Sequence, residues 1–238
     1  VKMTMTVITA IGTVMIPRNS KEYAEGNIDK VKENIYTTSN LVWFIGIPMV
    51  LGIVAFSADF VPWFFGDEYD KVSILMSILS PIILIIGFSN VFGLQYLLPT
   101  GQDKKYTIGV LIGALTKLLL NLILIPFLYS IGAAIATVAA EAVITVVLLF
   151  MARRQLEVKK IFIGTWKYII AGAIMFGCVF AISYFMQAKI YSTLLEVASG
   201  IIIYYMILMI LKEKYCTSYT KKILNKFHKK NNEEQTKE

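Results

Sequence analysis

Histidine and cysteine are almost missing from this sequence. Its 238 residues hold one histidine, His228, and two cysteines, Cys178 and Cys216. That scarcity excludes a Cys/His zinc cluster, and two cysteines make no disulfide framework, one lying in an apolar run and the other in a basic tail. No glycine-rich phosphate loop is present, and no nucleophile–histidine–carboxylate set carries a local signature. Soluble enzymology is not visible, so the expectation is a protein that is not an enzyme and uses no cofactor or metal.

What the chain has in abundance is apolar sequence. Hydrophobic residues make up 57% of it and mean hydropathy is +0.66. They fall in blocks of about 20 residues, the length a helix needs to cross a hydrocarbon core of roughly 30 Å. Six such blocks lie at about 41–58, 72–94, 107–127, 131–151, 164–186 and 193–211. The expected fold class is therefore all-α, a polytopic transmembrane helical bundle. A further apolar run, 1–16, has no basic leader, and Pro17-Arg18 is no small-residue cleavage site, so it does not read as a signal peptide. It reads as a truncated span, which makes the chain the C-terminal part of something longer; a rare Val start codon is the alternative. The expected organisation is a truncated helix (1–16), a lobe over 17–151, two additional spans within 152–211, and a basic tail over 212–238.

Lysine and arginine distribute unevenly. Nineteen of the 23 basic residues fall on one side of the expected bundle, from Arg18 and Lys21 through Lys104, Lys105, Arg153 and Arg154 to the tail. Only Lys71 and Lys189 fall on the other, while Lys2 and Lys117 lie within spans. By the positive-inside rule the rich side and the C-terminus face the cytoplasm. The net charge of +7 is mostly this asymmetry, and no nucleic-acid partner is needed to explain it. The tail could touch anionic lipid headgroups or serve simply as a solvated topological anchor. Between Pro17 and Thr38, Gly26-Asn27 marks a break. Ile28, Val31 and Ile35 then recur at helical spacing, as in a surface helix or one feeding the next span. "FVPWFFGDEYDK" (60–71) has the aromatic, Pro and Gly content of a membrane–water boundary.

The segment "TIGVLIGALTKLLLNLILIPF" (107–127) carries Lys117 at its centre. A short turn near Tyr129 and Ser130 makes the flanking spans antiparallel neighbours. Lys117 lies twelve residues before Tyr129 and Glu141 twelve after it, so both sit about 18 Å from the turn, near mid-membrane. Asn121 follows Lys117 by one helical turn on the same face. A charge at that depth costs roughly 2.5–3.5 kcal/mol on insertion scales. Two readings follow: the pair neutralises itself between helices, or it faces a hydrated cavity and handles an anionic substrate and a coupling ion. Gly109, Gly113 and the alanines of 133–140 let the helices approach closely.

"PWFFGDEY" (62–69), "QYLLPTGQDKKY" (95–106) and "GALTKLLLNLILIPFLYSIGAAIATVAAE" (113–141) resemble Wzx-type flippases of the polysaccharide transporter family in the MOP superfamily; "VMIPRNSKEYAEGN" (14–27) fits as well. The likeness covers about 14–151. It implies a MATE-like fold of about fourteen transmembrane helices, whose two lobes enclose a cavity and alternate between inward-open and outward-open states. Six full spans and a partial one match the final part of such a fold. The implied function is to flip undecaprenyl-pyrophosphate-linked oligosaccharide repeat units across the bacterial cytoplasmic membrane for capsule, O-antigen or other surface polysaccharide. Lys117, Asn121 and Glu141 become cavity candidates for substrate binding or coupling, and Gln95, Tyr96, Pro99 and Gly101 gate or loop candidates. The implied partners are the lipid-linked oligosaccharide, membrane lipid and polysaccharide polymerase machinery. A MATE-like exporter of drugs or cations is the rival, although Lys117 offsets the cavity carboxylate it would need. An inactive fragment lacking its N-terminal lobe is a second alternative.

Overall fold

A computed structural model describes residues 2–185 and 189–213. The basic tail from 214 onward, with Cys216 and His228, lies outside the described residues. Among the described residues every regular element is helical.

Helix α1 (Lys2–Ala24) runs straight through Pro17, beyond the point where the apolar run ends. Proline removes one backbone bond there, and Asn19, two residues on, is anchored in the interior. Gly26, in the left-handed region at φ 79°, then turns the chain into α2 (Ile28–Phe65). At 38 residues α2 is about 57 Å long, well beyond a hydrocarbon core of roughly 30 Å. Its first turns carry Asp29, Lys30, Lys32 and Glu33, while Val31, Ile35, Thr38 and Val42 are buried at helical spacing. The amphipathic lead and the apolar span are thus one continuous rod, which ends where Gly66 takes φ 98°.

A short 3-10 turn (Asp67–Tyr69) leads into α3 (Asp70–Leu79). The apolar block 72–94 is not one helix. It breaks at Ser80-Pro81, continues as α4 (Ile82–Phe92), and widens into a π-helical turn over Gly93–Leu97. Proline at the head of α4 has no N–H to continue the ladder, which explains the break. After a turn at Gly101 (φ 70°), α5 (Asp103–Ala152) rises and folds back on itself at Tyr129, whose φ of 48° and ψ of −123° interrupt the helix. The small α6 (Val158–Phe162) leads through Gly164 to α7 (Thr165–Phe185), and α8 (Ile190–Ile210) returns antiparallel to it. Among the described residues five helical stretches are long and apolar enough to cross a membrane: 28–65, 70–97, 103–152, 158–185 and 190–210. The chain is a multi-pass helical membrane protein.

Helix α2 is the hub, packed against α1, α3, α4, α7 and α8. One core on its flank joins Val31, Ile35, Val42 and Ile53 to Phe88, Val91, Phe92 and Leu148. A second joins Ile47 and Ala55 to Tyr168, Ala171, Met175, Val179, Tyr204 and Leu208 of α7 and α8. Lipid competes for apolar contact as well as protein does, so close fit and buried hydrogen bonds hold such helices together. Both are present. A Cβ on Gly172 would sit 2.9 Å from Leu51 Cδ1, so glycine is what lets α7 lie against α2. Trp43 Nε1 donates to Ile161 O at 3.1 Å, and Tyr204 donates to Phe44 O at 2.9 Å.

Candidate functional site: a mid-span charged face on the α5 hairpin

The two arms of α5 are zipped by glycine. A Cβ on Gly109 would meet Leu148 Cδ2 at 2.7 Å, one on Gly113 would overlap Ile144, and one on Gly132 would meet Leu124 O at 2.5 Å. These contacts fix an antiparallel register in which Lys117 comes level with Ala140 and Glu141. The first arm lies on the outside of the bundle, with Leu111, Leu115, Leu118, Leu122 and Phe127 exposed. The second arm is the anchored one, because Leu148 is buried in the core and Thr145 Oγ1 donates to Ile85 O of α4 at 2.9 Å.

Lys117 is exposed on this face, and Asn121 and Glu141 are half-buried beside it. Glu141 lies within electrostatic reach of Lys117, yet the ion pairs within 4 Å among the described residues do not include the two. Asn121 Oδ1 is buried without a hydrogen-bond partner. Lys117 and Glu141 therefore share one level of the hairpin, with Asn121 one helical turn away and polar capacity left unused. An ammonium exposed at mid-span is costly in lipid, so this face is suited to a hydrated space or to another polar surface.

The four loop candidates gather elsewhere, at the lysine-rich end. Gln95 and Tyr96 are buried in the π turn, Pro99 is half-buried, and Gly101 makes the left-handed turn. Asn19 Nδ2 donates to Gln95 O at 2.8 Å while Asn19 Oδ1 accepts from Asn34 at 3.0 Å, so one buried amide ties α1, α2 and the π turn. The Tyr96 hydroxyl donates to Gln155 Oε1 at 3.0 Å, and Gln102 Nε2 donates to the same oxygen at 2.8 Å. Two connections on either side of α5 thus meet at Gln155. This is a hydrogen-bonded latch rather than a pocket.

Residue-by-residue reading overlooked two acidic groups at the aromatic end. Glu196 of α8 is 1% exposed, and Asp59 of α2 stands beside it. The available signal was Glu196 itself, a carboxylate inside the 193–211 block, but the helix opposite could not be identified from sequence.

Comparison with known proteins gives a consistent answer. The family model described as lipid II flippase MurJ matches residues 4–206. The chain is 28% identical over 140 residues to lipid II flippase MurJ of Bacillus subtilis, which covers 58% of this chain and 26% of that protein. It is 34% identical over 90 residues to a putative O-antigen transporter of Escherichia coli, covering 38% of this chain and 22% of that protein. It is 29% identical over 150 residues to a probable low-salt glycan biosynthesis flippase of Haloferax volcanii, covering 60% of this chain and 30% of that protein. The matched regions thus span between about a fifth and a third of these relatives. With a family match across most of its length and a multi-pass helical fold, the chain belongs to the MurJ family of lipid II flippases.

Proposed function

We propose that the chain forms part of a Wzx-type flippase that carries undecaprenyl-pyrophosphate-linked oligosaccharide repeat units across the bacterial cytoplasmic membrane by alternating access. The observation that carries the reading is Lys117, an exposed mid-span ammonium beside Asn121 and Glu141. Pyrophosphate is a dianion or more, and a cation in a cavity of low dielectric attracts it far more strongly than one in water. Asn121 would donate to sugar or phosphate oxygens. Glu141 would balance the charge of Lys117 through space, without a contact ion pair, and leave the ammonium free to meet substrate. Gln95, Tyr96, Pro99 and Gly101 would shape the cytoplasmic gate, with Gln155 as their latch. The charge asymmetry supports a cytoplasmic position for the lysine-rich end and the C-terminus.

The likeness to an O-antigen transporter supports a repeat-unit substrate. A second reading, lipid II as cargo, is favoured by the breadth of the family match. Extracted lipids from cells depleted of the full-length gene product separate the two. Accumulated lipid-linked repeat units with loss of surface polysaccharide support the first, and accumulated lipid II with a cell-wall defect supports the second. Normal levels of both refute flipping of either. In the affected strain, Lys117→Ala and Glu141→Ala should each restore translocation at least about tenfold less well than the native gene, equivalent to about 1.4 kcal/mol. Full rescue by Lys117→Ala removes the ammonium from the mechanism.

A further inference from the structure

The aromatic end of the bundle holds a second group of ionisable residues, remote from Lys117. Trp63 Nε1 of α2 donates to Thr193 Oγ1 of α8 at 2.9 Å, which fixes the antiparallel register of the two helices. One turn inward from each of these residues stand Asp59 and Glu196. Asp59 accepts a short hydrogen bond from Ser183 of α7. Glu196 is 1% exposed, and neither of its carboxylate oxygens receives a hydrogen bond from a donor. It reaches an apolar cavity of about 480 Å³ between α2, α7 and α8 and is the only carboxylate in its lining.

The register that Trp63 and Thr193 set brings the two carboxyl groups next to one another. Ionised carboxylates only accept, so such a contact becomes a bond only when one of them carries a proton. Two adjacent charges of one sign, one buried and one half-buried, are also the arrangement that proteins relieve by sharing a proton. Among the described residues no ion pair within 4 Å includes either carboxylate, and Glu68, Asp70 and Lys71, at the start of the neighbouring α3, are exposed. Asp59 is the only charged group of α2 at this end; α7 offers Ser183, Cys178 and Tyr184, with its single charge, Lys167, at the opposite end; α8 offers Tyr204 and Tyr205 further along the cavity and an exposed Lys189 before its first turn. We infer that Asp59 and Glu196 form a proton-binding site, holding one proton between them in this conformation and releasing it when α2 and α8 separate. The proton comes from water, converts one carboxylate to a carboxylic acid, and is donated to the other.

The inference does not depend on which lipid is carried, and it is tested without a transport assay. The full-length protein in lipid nanodiscs is examined by infrared spectroscopy across a pH titration. In parallel it is treated with dicyclohexylcarbodiimide, which modifies protonated carboxyls in apolar surroundings, and the modified peptide is identified by mass. The native protein should show a protonated-carboxyl band at neutral pH that Glu196→Gln removes, with label on Glu196 or Asp59. Asp59→Asn removes the like charge and offers an amide donor instead. The midpoint of the Glu196 band should then fall by at least about one pH unit, a tenfold loss of proton affinity. Absence of the band at neutral pH overturns the proposal, and so does a midpoint that Asp59→Asn leaves unmoved. Should Glu196→Gln not fold, the native and Asp59→Asn titrations decide alone.

Discussion

Gly132 is the residue on which the hairpin, and with it the level of Lys117 against Glu141, depends most directly. A Cβ there would lie 2.5 Å from Leu124 O, 2.7 Å from the Leu124 carbonyl carbon and 3.2 Å from Ile125 N. Carbon and carbonyl oxygen approach no closer than about 3.3 Å even in weak C–H···O contacts. Gly132→Ala therefore requires the arms to part by roughly 0.8 Å, and the obstacle is backbone that cannot rotate away. Overpacking costs about 1–3 kcal/mol where side chains can yield, so the upper part of that range applies here. Gly177→Ala is the control: it lies inside α7 with nothing within 4 Å of the new methyl group, and it should gain up to about 1 kcal/mol of helix propensity. The assay is denaturant titration of the full-length protein in mixed micelles, followed by helical circular dichroism. Gly132→Ala should fall below the native protein, and Gly177→Ala should match or exceed it. Equal stability of the two variants would refute the close-packed hairpin and the register drawn from it.

Further outcomes are expected at the lysine-rich end. Asn19→Ala deprives Gln95 O and Asn34 of a buried partner and should cost about 1–3 kcal/mol by the same titration. Gln155→Ala releases both Tyr96 and Gln102 from the latch, so backbone hydrogen exchange in 95–106 should rise at least about fivefold, reflecting about 1 kcal/mol of local stability. Trp43→Phe keeps an aromatic ring on Phe88 but loses the bond to Ile161 O, and should destabilise by about 1 kcal/mol.

The helical membrane class was legible because it depends on composition and block length alone, and lipid permits few other ways to satisfy a backbone. The reversal near Tyr129 was legible for a similar reason, since two full-length apolar blocks separated by a few residues must fold back. Lys117 and Glu141 could be brought to one level by counting residues from that turn. Other features resisted such reading. Helix α1 continues past Pro17, and the partner of Asn19 beyond it, Gln95 O in the π turn, lies far away in sequence. The break at Ser80-Pro81 was written as a proline in an apolar block, yet Pro48, Pro62 and Pro126 all sit inside helices. Proline alone does not say which outcome its neighbours will enforce.

What the sequence alone determined is the solvent of this protein: which blocks are long and apolar enough for lipid, which end collects lysine, and which charges fall in the middle of an apolar block. These follow from one-dimensional counts, because a helix advances by a constant rise and a membrane has a constant thickness. The tertiary structure decided which distant residues share a space. Asp59 and Glu196 are separated by more than half of the chain, and neither helix by itself names the partner of its carboxylate. Only the docking of α8 against α2, set by Trp63 and Thr193, turns two isolated carboxylates into a facing pair. That pairing arises from packing between helices, and no periodicity within either helix encodes it.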